Sequence, residues 1–272
     1  MTEMTDPARE LADVCERLAS PQSSQNGAAF LAEKFGVEPW STEFYQMIVL
    51  IRGRIDHLAE TVAALDIDAE LREQAIAHAK QVQKAFSPDG LNSPWSHASA
   101  HFISPEHVRP LKFLSLAVGR SVSYPKLSED ERNEIAGLVA ELLSWLGEHQ
   151  IKEHDFIRQA LIEGLMQFQF RFERFQWLGC GYALQSLREV IGAYMALERA
   201  VPDLKTSPDA DAILRKTGAV LAKVYGALKK TKEAVDIGKL ILLLYGTAAL
   251  LSHGPSGAAR LLASATKLLP GP

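Results

Sequence analysis

The sequence predicts an all-α protein: a multi-helix bundle over residues 7–200 with a helical extension from 208 to 269. Three observations carry this. Apolar residues recur every three or four positions along each long segment. Capping residues and prolines stand where those segments begin. No stretch alternates apolar and polar residues long enough to support a strand.

Taken in order, Asp6-Pro7 is an N-cap and first-turn pair, opening a helix through Leu11, Val14, Cys15 and Leu18. Ser20 to Gly27 is a polar loop, and Ala28 to Phe35 a second short helix. Ser41 caps a third, in which Phe44, Met47, Ile48, Ile51, Ile55, Leu58, Val62 and Leu65 form one apolar face. Asp68 opens a fourth, with Leu71, Ala75, Ile76, Ala79, Val82 and Phe86 facing inward; the short connection predicts an antiparallel hairpin. Ser87-Pro88-Asp89-Gly90 is a turn by composition, and Leu91 to Phe102 is expected to be irregular. Ser104-Pro105-Glu106 restarts a helix that holds Pro110, with Leu111, Leu114, Leu116 and Val118 as its apolar surface.

After the break at Tyr124-Pro125, Ser128 to Glu131 has the spacing of a capping box, ahead of Ile135, Leu138, Val139, Leu142, Leu143 and Leu146. Asp155 caps a long helix running into Phe168–Trp177, where Gly179 and Gly181 interrupt it. A helix from Tyr182 to Arg199 follows. Val201 to Pro208 reads as a linker. It divides an acidic domain, 1–200, from a basic and apolar tail, 209–272.

Charge supports that division. Residues 205–272 carry ten basic and four acidic side chains, a net +6, while the whole chain is −4. From Leu240 to Ala259 no residue is formally charged. Twenty residues can cross a bilayer as a helix, but His253, Gly254 and Pro255 interrupt this run. Lys229, Lys230, Lys232 and Lys239 precede it, the pattern attracted to anionic lipid. Small residues, Gly238 and Gly246 among them, lie on a ridge that lets helices approach closely, flanked by Leu243 and Leu250. The tail is therefore expected to meet a membrane or another subunit, and the competing expectation is an ordinary core or interface helix. Met1 to Glu10 is polar and acidic and predicts no cleaved signal peptide. The two cysteines, Cys15 and Cys180, show neither staple nor metal-knuckle spacing, as expected of a reducing cytoplasm.

Candidate chemistry in the body is sparse. His97, His101 and His107 stand at metal-like spacings, but no cysteine is near and Glu106 sits where a helix start favours an acid. Loop histidines are the expected reading. An anionic, nucleotide-like ligand contacted by His97, His101, Arg109 and Lys112 is the functional one. Phe168 to Trp177 interleaves aromatics with Arg171 and Arg174, a pattern that stacks bases and holds phosphates. At helical spacing the same phenylalanines make an ordinary core face. Cys180 between two glycines is a conceivable nucleophile, alone or with the His97/His101 loop, but most free cysteines are simply buried. There is no Walker loop, dinucleotide-type glycine fingerprint, zinc-protease helix or nucleophile elbow. The expectation is a non-enzymatic protein without cofactor or resident metal. The net −10 of residues 1–204 disfavours duplex DNA.

The acidic body, the linker at Val201–Pro208 and the Lys-rich apolar tail together resemble, in layout, the helical membrane effectors of bacterial antiphage defence operons, the Hailong effector type. The resemblance implies a cytosolic helical domain that senses a nucleotide signal. It also implies a homo-oligomer whose C-terminal helices act on the inner face of the cell membrane. The main alternative is a soluble, oligomeric helical adaptor.

Overall fold

The computed structural model describes residues 3–20, 22–151, 155–200 and 207–228. Among them the regular structure is helical except for two two-residue strands, β1 (Met4–Thr5) and β2 (Tyr124–Pro125). The all-α expectation is met. The predicted tail residues Lys229, Lys230, Lys232, Gly238, Lys239, Leu243, Gly246 and Leu250 lie outside the described residues.

The described chain forms two compact units. The first comprises Met4–Tyr124 and a short later segment, Arg174–Tyr182. It contains α1 (Pro7–Leu18), α2 (Gly27–Phe35), α3 (Thr42–Ala63), α4 (Ala69–Lys84), α5 (Pro88–Asn92), α6 (Trp95–Phe102), α7 (Pro105–Ser121) and α10 (Phe175–Leu178). Helix α7 packs against α1 and α4, and α4 against α3, so α4 and α7 share a long seam. The expected caps are present: Asp6, Ser41 and Asp68 each accept from backbone N–H groups in the first turn of their helix.

The predicted turn and irregular stretch after Phe86 are instead two short helices. Ser87 caps α5, accepting from Gly90 N. Trp95, with no exposed surface, anchors α6: its indole N–H donates to Leu18 O at 2.8 Å and its ring stacks on Phe30 with centroids 5.1 Å apart. Burial of one large aromatic, with its polar edge satisfied, overrides weak local helix signals. Leu71, expected inward, is 60% exposed, because Ala75, Ala79 and Val82 alone form the buried stripe of α4.

The second unit holds α8 (Glu129–Glu148), α9 (Asp155–Glu173), α12 (Leu187–Ala200) and α13 (Pro208–Leu228). Contacts run α8–α9–α12–α13 and back to α8, which closes a four-helix bundle. The capping box at Ser128 and Glu131 is formed in full. Gly164 lets α9 approach α12: a Cβ there would lie 3.0 Å from Val190 Cγ2 and 3.1 Å from the Val190 nitrogen. Arg158, buried, pairs with Asp155 and donates to Leu146 O in the last turn of α8. The predicted continuous helix from Asp155 ends at Glu173, and the stretch from Tyr182 is divided between α11 (Cys180–Gln185) and α12. No described helix is long and apolar enough to cross a membrane.

Candidate functional site

Most of the unusual chemistry of the first unit gathers where residues 174–182 meet α1 and α3. Glu10 on α1 and Arg54 on α3 form a buried ion pair, with Arg54 Nη2 at 3.6 Å from Glu10 Oε2. Arg54 Nη1 donates to Trp177 O at 2.7 Å, while Nη2 makes no hydrogen bond among the described residues. The Cys180 N–H donates to Glu10 Oε1 at 3.0 Å. Burial pushes the Glu10 carboxyl above the usual carboxylate range, opposed by the Arg54 charge and the Cys180 N–H. Arg54 remains a cation, as guanidinium groups in proteins do.

Gly179 makes this node possible. Its φ is +83°, and a Cβ would stand 2.4 Å from Glu10 Oε2 and 2.8 Å from Arg54 Nη2. Around the node, Arg17 lies over the Trp177 ring at 5.3 Å, Phe35 meets Trp177 edge-on at 5.3 Å, and Arg174 pairs with Glu43. The arginine–aromatic run is thus used for packing in both units. Phe168 and Phe172 stack in the core of the second, and Trp177 is buried in the first.

The node does not activate a nucleophile. Burial, then the Glu10 charge, pushes the Cys180 thiol up, and Cys15 is pushed up to about 12 by burial. A reactive cysteine needs the opposite shift. Tyr124 is likewise raised, by burial first and then by Glu10. The arrangement joins two helices to a returning segment and offers no lowered thiol for group transfer.

The proposed anion contacts are distributed. His97 and His101 are exposed on α6, their rings stacked with centroids 6.3 Å apart. Arg109 is exposed on α7, whereas the Lys112 ammonium is taken up by Glu16. Arg171 belongs to the second unit and Arg174 to the first. His107, grouped by sequence with His97 and His101, instead meets His78 of α4, Nδ1 to Nδ1 at 3.1 Å. Sequence reasoning missed His78. No local spacing signals it: the packing of α4 on α7 brings the two rings together. Among the described residues no group of three or more His, Cys, Asp or Glu could hold a metal ion.

A second surface feature lies on α7. Arg109, Phe113, Leu116 and Arg120 follow one another at helical spacing and are all exposed, Phe113 by 73% and Leu116 by 74%. The other face of α7, with Val108, Leu111, Leu114 and Val118, is buried. No protein-family model matches this chain, and neither a curated protein nor a solved structure does.

Proposed function

We propose that this chain is a non-enzymatic, membrane-acting helical effector. Its helical body, residues 1–200, serves as the regulatory domain, and its basic and apolar tail, 209–272, is the membrane-acting part. The structural observation that supports this is the exposed α7 stripe. Two large apolar side chains bracketed by two arginines are suited to an anionic leaflet. The rings and methyls enter the acyl boundary, and the guanidinium groups reach the phosphates. Near such a surface each cation contributes about 1 kcal/mol, and burial of Phe113 and Leu116 roughly 1.5–3 kcal/mol apiece. The sequence of the tail, with its four lysines ahead of a twenty-residue uncharged run, has the same preference.

In the antiphage effectors that the layout resembles, a nucleotide signal governs the membrane step and the protein self-assembles. Here a nucleotide or short oligonucleotide would engage His97, His101 and Arg109, the exposed groups of the predicted set. A thermal-shift screen at a hundredfold excess over Kd should raise stability by about 2.7 kcal/mol for the right anion.

A second reading has its own support. The first part of the basic tail, α13, is built into the four-helix bundle against α8 and α12. That favours an oligomeric adaptor, in which the rest of the tail is a core or interface helix.

Vesicle sedimentation of the full chain separates the readings. The membrane reading expects binding to anionic but not zwitterionic vesicles, weakened by Phe113→Ser with Leu116→Ser. It also expects dye leakage that Leu243→Asp abolishes without unfolding the body. A full chain that stays in solution with anionic vesicles and causes no leakage overturns it. In the adaptor reading Leu243→Asp unfolds the protein or breaks the oligomer.

A further inference from the structure

Two ring nitrogens, one on His78 and one on His107, face each other across the α4–α7 seam. The two Nδ1 atoms are 3.1 Å apart, the ring centroids 5.4 Å apart and the planes inclined by 48°. The centroid separation exceeds the nitrogen separation by about two imidazole ring radii. The nitrogens therefore point straight at each other. A metal held by both would sit off that line with bonds of about 2.0–2.1 Å, which would turn the rings and shorten the centroid distance. Head-on geometry belongs to a hydrogen bond.

Such a bond needs one proton between the two facing nitrogens, one imidazole donating and the other accepting. An imidazolium carries a proton on both ring nitrogens. When both rings are charged, N–H faces N–H and two cations touch. The surroundings add to that repulsion. Lys84 on α4 and His101 on α6 bear on His107 from the same sign, and Glu106 on α7 opposes them. Burial first, and then His78, hold the His107 imidazolium below the ordinary histidine range. Both rings are half-buried, so protons can reach them. Both stand beside the apolar seam: Ala75, Ala79 and Val82 on one helix, Val108 and Leu111 on the other.

We propose that His78 and His107 form an acid-operated latch between α4 and α7, closed while the pair shares one proton and released when a second arrives. The sign follows from linkage. The unfolded chain binds the second proton at higher pH than the folded one does. The latch therefore contributes fully above the ordinary histidine value, and its contribution is lost as pH falls through the lowered one. The first segment to loosen is α4, exposing the apolar face it shares with α7. This inference needs no membrane and goes beyond the effector reading.

Amide hydrogen exchange on the full chain at about pH 7.5 and about pH 5.5, corrected for intrinsic rates, tests it. Residues 69–84 should exchange about tenfold faster at the lower pH, while the amides of α8 and α9 keep their protection. His78→Gln and His107→Gln each replace one ring with an amide that cannot charge, so a proton on the remaining histidine meets no second cation, and α4 protection should become independent of pH. Equal α4 protection at both pH values in the parent chain overturns the latch. So does an acid response undiminished in both variants. A histidine NMR titration of the unaltered chain gives a check that needs no variant to fold. The pair should take up its second proton below the ordinary histidine value, in a step coupled between the two rings. Two independent titrations at that ordinary value overturn the proposal.

Discussion

Asp6 divides its carboxylate between two helices. Oδ1 accepts from Ala8 N at 2.9 Å and Arg9 N at 3.1 Å, capping α1, while Oδ2 accepts the Ser115 hydroxyl of α7. One side chain thus starts a helix and fixes its neighbour. Asp6→Ala should cost about 2 kcal/mol, roughly 1 for the cap and the rest for the orphaned hydroxyl. Ser115→Ala should cost less, since the cap survives. Urea denaturation of the two variants measures the difference.

Thr217 on α13 is wholly buried, and among the described residues its hydroxyl has no hydrogen-bond partner. Thr217→Val keeps the branched shape and removes the unsatisfied group. It should raise the stability of the bundle by about 1 kcal/mol, read as a higher denaturation midpoint. Thr217→Ser keeps the hydroxyl, deletes a methyl and should lower it.

Trp95→Ala should destabilise the protein by about 3–5 kcal/mol, since it empties a fully buried site and leaves Leu18 O without its donor. Near-ultraviolet circular dichroism and the denaturation midpoint report it together.

That residue also marks the limit of what the sequence discloses. Helices with a full apolar stripe and a capping residue, such as α3 from Ser41 and α8 from Ser128, are legible because one local pattern specifies both start and face. Helices α5 and α6 are not. Their few residues carry turn formers, and their order comes from Trp95 packing on Phe30 and bonding to Leu18, partners distant in sequence. Leu71 and Leu116 fit an apolar spacing yet lie outside, because helical spacing cannot say how wide the buried stripe is. Among the site residues, His97 and His101 are neighbours on one short helix, a proximity their spacing of four makes legible. His78 joins His107 only through the packing of α4 on α7, which no local spacing encodes. The Glu10–Arg54 pair was invisible for the same reason.

Gly179→Ala should be among the most damaging single substitutions. It places a side chain at φ +83° and drives a methyl group into Glu10 and Arg54. A loss of about 3 kcal/mol or more is expected, with release of residues 174–182 visible as faster amide exchange there.

Cys15 gives an alkaline signature. Its thiol ionises at about 12 in the folded chain, against an ordinary value of 9.0. Because the folded value is raised, the contribution is fully present below pH 9.0 and is lost progressively as pH rises toward 12. Lysines and tyrosines titrate in the same range, so the comparison is with Cys15→Ala, whose stability should fall less steeply over that window. Native Cys15 should also resist alkylation until the chain unfolds.

The return of residues 174–182 to the first unit has a topological consequence. The chain leaves that unit near Pro125, comes back after Glu173 and leaves again after Tyr182. The two units are interleaved along the gene, and no single cut yields both intact. A fragment ending near Tyr124 lacks the backbone that Glu10 and Arg54 grip, and one starting there drags a nine-residue guest from the other unit. Their separation would require excising 174–182, joining Glu173 directly to Ala183 and grafting the nonapeptide onto the end of the first unit. Fission at a single point along the chain is accordingly closed to this architecture.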